Sequence, residues 1–107
     1  MNWTFEFASD VAIAEAAALP SDLRAKLEHF AELIEVHGIA AMREPYAKHL
    51  EGKLWELRLK GRSGIARSLY VTVTGRRVVV LRTFVKKAQK TPRREIELAI
   101  SRAKEIK

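Results

Sequence analysis

Lys53-Leu54-Trp55-Glu56-Leu57-Arg58-Leu59-Lys60 alternates without a break. Trp55, Leu57 and Leu59 share one parity, and Glu56, Arg58 and Lys60 share the other. A period of two marks a strand with one face on a core and the other free for polar work. Gly61-Arg62-Ser63-Gly64 reads as a turn. Residues 65–74 form the next strand, rich in β-branched side chains, and Gly75-Arg76 turns again. The following run, Arg77-Val78-Val79-Val80-Leu81-Arg82-Thr83-Phe84-Val85, is apolar on both parities. Such a strand is predicted to be central and covered on both faces.

Outward from this meander, residues 3–8 alternate large apolar with small or polar residues and suggest a short first strand, placed beside the central one. The predicted sheet is four-stranded and mainly antiparallel, ordered second, third, fourth, first. Ser9 or Asp10 caps an Ala-rich helix over 10–19. Ser21 caps a second helix, roughly 22–37, in which Leu23, Leu27, Phe30 and Ile34 form one buried stripe before Gly38 closes it. The two helices are predicted to form an αα-hairpin on one face. In residues 39–52 Pro45 disfavours helix through Glu44, and Gly52 marks a turn. Thr91 and Pro92 look like the N-cap and first position of a last helix, about 92–105, with Ile96, Ala99, Ile100 and Ala103 facing inward. The pattern β-α-α-β-β-β-α describes a single α+β domain over residues 1–107.

The net charge of +7 is unevenly distributed. Residues 1–50 hold four Lys/Arg against eight Asp/Glu, whereas residues 51–107 hold 16 against five. Charge concentrated in one half creates a directed field that draws in phosphates. The chain has no cysteine, which excludes disulfides and thiolate metal sites. It also lacks an apolar run of the roughly 20 residues a membrane span needs, and its start has no signal-peptide pattern. The expected setting is the cytoplasm, with no membrane partner.

Several cations stand out. Arg58 and Lys60 share the polar face of their strand. Arg67 shares parity with Ile65, Leu69, Val71 and Val73, an apolar set, so it must reach a rim, line a cleft or be paired. The competing structural reading is an ion pair with Glu56. Lys86, Lys87 and Lys90 lie between the central strand and a helix N-terminus, where unpaired N–H groups already favour an anion. Arg93 and Arg94 extend that zone. His29, His37 and His49 have no metal spacing, and no phosphate-binding glycine loop is present. Trp3, Phe5, Phe30, Trp55 and Phe84 fit a core better than a stacking platform; Tyr70 is the aromatic placed nearest a cleft.

Three segments together resemble a known family. They are Leu54-Trp55-Glu56-Leu57-Arg58, then Arg67 followed by Tyr70, then Phe84-Val85-Lys86-Lys87-Ala88-Gln89-Lys90-Thr91-Pro92-Arg93-Arg94-Glu95. The chain is similar in these motifs to the phage-derived, HigB-like branch of the RelE/ParE toxin superfamily. The resemblance implies the toxin of a type II toxin–antitoxin system, a ribosome-dependent mRNA endonuclease that uses no metal or other cofactor. It implies a cognate antitoxin of helix-turn-helix type and mRNA on the ribosome as partners. It places Arg67 at the scissile phosphate, Lys86 and Lys87 as the basic pair after the last strand, and Arg58 at a basic position on the second strand. On this reading Arg67, Lys86 and Arg58 are catalytic, and Lys60, Lys87, Lys90, Arg93 and Arg94 bind RNA phosphates.

The sequence departs from several catalytic sets of the family. No histidine or aspartate lies in the last-strand loop, and no tyrosine in the final helix. The general base is left open between Glu56, a lysine, or no group on the protein. The alternatives are a ParE-like inhibitor of DNA gyrase and a non-enzymatic RNA- or DNA-binding module.

Overall fold

A computed structural model describes residues 2–87 and 89–106. Met1, Lys107 and Ala88 of the loop motif lie outside the described residues. The elements run β1 (Thr4–Phe7), α1 (Asp10–Ala17), α2 (Ser21–His37), a 3-10 turn (Ile39–Ala41), β2 (Ala47–Glu51), β3 (Leu54–Gly61), β4 (Gly64–Val73), β5 (Arg77–Val85) and α3 (Arg93–Ala103). The sheet has five strands in the order β1-β5-β4-β3-β2. β1 pairs with β5 in parallel, and every other pairing is antiparallel.

The predicted order of four strands is present within this sheet, with one strand added at the far edge. β2 is the element the sequence reading lacked. Its five residues, Ala-Lys-His-Leu-Glu, carry weak strand propensity, and a bulge between His49 and Glu51 interrupts their pairing with β3.

Both sheet faces are covered, as the apolar run of β5 requires. On one face Leu23, Leu27, Phe30 and Ile34 of α2 pack on Leu57, Leu59, Ala66, Tyr70, Val78 and Val80. On the other, Ala99, Ile96, Ile100 and Ala103 of α3 pack on Leu54, Leu69, Val71, Val79 and Leu81. Truncating one of the fully buried leucines, such as Leu57 or Leu81, to alanine costs about 2–5 kcal/mol.

The first two helices do not form the expected hairpin on one face. α2 lies on β3, β1 and β4, whereas α1 packs on β5 and β1. From there α1 sends Glu15 to Arg82 of β5 and Arg102 of α3, at 2.7 and 2.8 Å. Arg82 also holds the buried Glu95 at 2.7 Å. This ionic network ties α1, β5 and α3 into one unit. The Ser9 side chain caps α1 by accepting from the Ala12 N–H at 3.2 Å.

Candidate nucleic-acid interface

The β3–β4 register sets Arg58 directly opposite Arg67. Like charges in that position repel, and burial makes the repulsion worse because Arg67 is only 6% exposed. Glu56, two residues before Arg58 and 2% exposed, offsets it. Its Oε2 accepts from Arg58 Nε at 3.2 Å and lies 3.5 Å from Arg67 Nε. Its Oε1 accepts from the Thr91 hydroxyl. One buried carboxylate thus braces two arginines from adjacent strands and anchors the loop that leads into α3.

Arg67 is incompletely satisfied in this arrangement. Its Nε is within ionic range of Glu56 but makes no hydrogen bond. One Nη donates to the Ala66 carbonyl at 3.5 Å, a long contact. Burial pushes the guanidinium below its ordinary pKa; Glu56 opposes this and Arg58 adds to it. A buried cation with an unused donor marks a candidate anion site.

Lys86 joins the cluster from the end of β5. Its backbone N–H donates to the Ile65 carbonyl at 2.7 Å, which keeps β5 zipped to β4 past the last strand residue. Burial, then the neighbouring Arg67 and Arg58, push the ammonium below the ordinary lysine value. Glu56 pulls the other way and Lys48 adds to the depression. Glu56, Arg58, Arg67 and Lys86 therefore share one electrostatic environment, built from three strands.

Two clefts flank the cluster. One, of about 260 Å³, is lined among others by Lys48, His49, Glu56, Arg58, Lys90 and Thr91, with Gln89 at its edge. The other, of about 450 Å³, is lined by Gly64, Ile65, Lys86, Lys87 and Gln89. Gln89 belongs to both, so the loop after β5 runs between them. Arg58, Arg67, Lys86, Lys87 and Lys90 are brought to this region.

Three predicted contributors are not. Lys60 is exposed near the end of β3, opposite Ile65, and lines neither cleft. Arg94 is exposed on α3 and lines neither cleft. Arg93 turns its guanidinium fork onto Glu51, with a second contact to Glu97 at 3.3 Å. A fork occupied by a carboxylate has fewer donors left for a phosphate.

Thr91 also departs from expectation. Its hydroxyl goes to Glu56, and Pro92 occupies the N-cap position of α3 without a side-chain cap. Tyr70 points to the α2 side of the sheet, away from Arg67. Trp55 is not core but 39% exposed. Lys48 is a cation the sequence reading missed, because β2 was not predicted. Among the described residues no group of three His, Asp or Glu side chains is placed to hold a metal, and no helix is long and apolar enough to cross a membrane.

Comparison with known proteins places these features in context. The model of a family described as phage-derived, Gp49-like protein matches residues 14–104. The archaeal RelE–RelB complex from Pyrococcus horikoshii OT3 contains a chain that aligns with a TM-score of 0.58 at 19% identity. The alignment covers 79% of this chain and 96% of the archaeal one, and the likeness is one of fold. No curated protein sequence matches the chain.

Proposed function

The chain belongs to the Gp49-like family of phage-derived proteins, and from that premise and its RelE-like fold we propose that it is a toxin of the RelE superfamily that cleaves mRNA on the ribosome. The observation that carries this reading is the convergence of Arg58, Arg67 and Lys86 around one buried carboxylate, beside two clefts edged with lysine.

RNA supplies its own nucleophile, the 2′-hydroxyl. Its oxygen attacks the adjacent phosphorus, the P–O5′ bond breaks, and the products are a 2′,3′-cyclic phosphate and a 5′-hydroxyl. The protein must align the reacting atoms, neutralise charge on the phosphorane oxygens and manage two protons. Arg67 and Arg58 suit the second task, since a guanidinium fork matches a pair of phosphate oxygens. Their position is set before RNA arrives, so no reorganisation is needed as charge builds.

Glu56 is poorly suited as general base. It is buried, and its oxygens are engaged by Arg58, Arg67 and Thr91. It is a positioning residue. Lys86 has the better claim to the proton work, because its depressed pKa increases the neutral fraction near neutral pH. As a base it takes the 2′-hydroxyl proton; as an acid it protonates O5′. Lys87 and Lys90 hold flanking phosphates. Most contacts are to phosphate rather than to base edges, so sequence choice comes chiefly from the ribosome.

The proposed partner in the cytoplasm is an antitoxin, of helix-turn-helix type, with acidic surface against the cationic clefts. Its association is then sensitive to salt. The test is induction in cells with and without the neighbouring reading frame, with mRNA 5′ ends mapped. The reading expects new 5′ ends within translated regions, absent for Arg67→Ala and Lys86→Ala. Arrested growth with intact transcripts would point instead to gyrase.

A further inference from the structure

The other face of β2 and β3 carries an aromatic row the mechanism does not use. Trp55 pairs across the sheet with His49 on one side and Tyr70 on the other. Tyr70 is buried, but α2 covers Leu57 and Leu59 and leaves Trp55 outside the core. The His49 ring stands edge-on to the indole, centroids 5.2 Å apart. Its Nε2–H donates to the Gly52 carbonyl at 2.7 Å, which fixes the ring. Beside the indole opens a cleft of about 380 Å³, lined among others by Met42, Tyr70, Thr72 and Arg43. Arg43 is the one charged residue in that lining, and its Nε donates to the Ala40 carbonyl at 3.3 Å.

A flat ring with a guanidinium beside it and no carboxylate in the lining selects a flat, anionic ligand. A nucleotide fits, its base stacked on the indole and its phosphate near the arginine. The position agrees. β2 is an edge strand of the sheet, and its successive residues Lys48 and His49 face opposite sides. Both line the cleft next to Arg58, while the His49 ring also meets Trp55. A single strand leaving the cationic cluster therefore reaches the indole by passing round this edge strand, with His49 on both sides of the path.

We propose that Trp55, with His49 and Arg43, forms a stacking subsite for one unpaired base of the bound RNA, outside the scissile step. The proposal rests on the cationic cluster being an RNA site.

The test uses the full chain and a short single-stranded RNA whose 2′-hydroxyls are methylated, so that it binds without being cut. Tryptophan emission and the anisotropy of labelled RNA are followed together. Trp3, packed against Gly38, is the internal reference. The subsite predicts that RNA quenches emission and that Trp55→Phe abolishes the quench while keeping affinity within about threefold. Trp55→Ala weakens binding roughly 5- to 160-fold, the range for loss of one base–aromatic stack. Circular dichroism checks that each variant is folded. Unquenched emission, or Trp55→Ala binding within twofold of the parent, overturns the subsite. So does a Trp55→Ala protein that keeps RNA affinity but loses a protein partner. Cleavage of ribosome-bound mRNA is scored separately. Intact cleavage with no Trp55 effect defeats the subsite alone, whereas quenching without cleavage defeats the nuclease reading alone.

Discussion

Replacing Arg67 with methionine separates a residue kept for function from one kept for stability. Arg67 faces Glu56 at 3.5 Å, a gross attraction of about 5 kcal/mol at an effective dielectric constant of 20. Three terms oppose it. Desolvating a guanidinium costs several kcal/mol. Its Nε lacks a hydrogen bond, a deficit of about 1–3 kcal/mol. Arg58, directly opposite, repels it. Glu56 is not orphaned by the change, because Arg58 and Thr91 still hold it. Methionine fills a similar volume beside Leu69 on the same face of β4. The expected variant is therefore within about 1 kcal/mol of the parent or more stable by up to about 2 kcal/mol, the latter raising Tm by roughly 4–8 °C per kcal/mol. Cleavage should fall about a hundred- to a thousandfold, as when one charge-stabilising donor is lost. Urea unfolding followed by circular dichroism gives the first quantity, and single-turnover primer extension on programmed ribosomes gives the second. A loss of more than about 2 kcal/mol, with cleavage reduced only in proportion to the unfolded fraction, would make Arg67 a structural ion-pair partner and refute the reasoning.

Two further outcomes follow, one from this cluster and one from the Glu15 network. Arg58→Gln removes a cation that depresses Lys86, so the Lys86 pKa rises; the limb of the cleavage pH–rate profile that reports it should move to higher pH, and an unmoved limb would remove Lys86 from the proton transfers. Burial alone would raise the Glu15 pKa, but its hydrogen bonds to Arg102 and Arg82 bring it below the ordinary 4.5. Its contribution is therefore present above that value and lost as pH falls through the depressed one. Glu15→Gln should lower stability at pH 7 and flatten the loss on acidification below about pH 4.5, read from urea midpoints across pH.

Local pattern made much of the fold legible. The α2 stripe, the alternation of β3 and the doubly apolar β5 each show which faces must be buried, and the polar parity of Glu56 and Arg58 locates the site's face. Arg67 was conspicuous for the same reason, as a cation among apolar neighbours of its own parity. What could not be read depends on partners distant in sequence. Thr91 suits an N-cap by position, yet a carboxylate 35 residues earlier holds its hydroxyl. Glu15 and Arg102 meet across 87 residues. Trp55 has the parity of a core residue but lies beyond the reach of α2. Arg93 looks like a phosphate ligand until β2 brings Glu51 to it.

The parallel pairing of Thr4 with Arg77 sets the order in which the protein is completed during synthesis. The strand made first waits for one made in the last third of the chain, and such long-range closure is slow. Arg58 and Arg67 are made before β5, Thr91 and α3, the partners that complete their surroundings. A nascent chain thus lacks this cationic surface until the segment after β5 has been made.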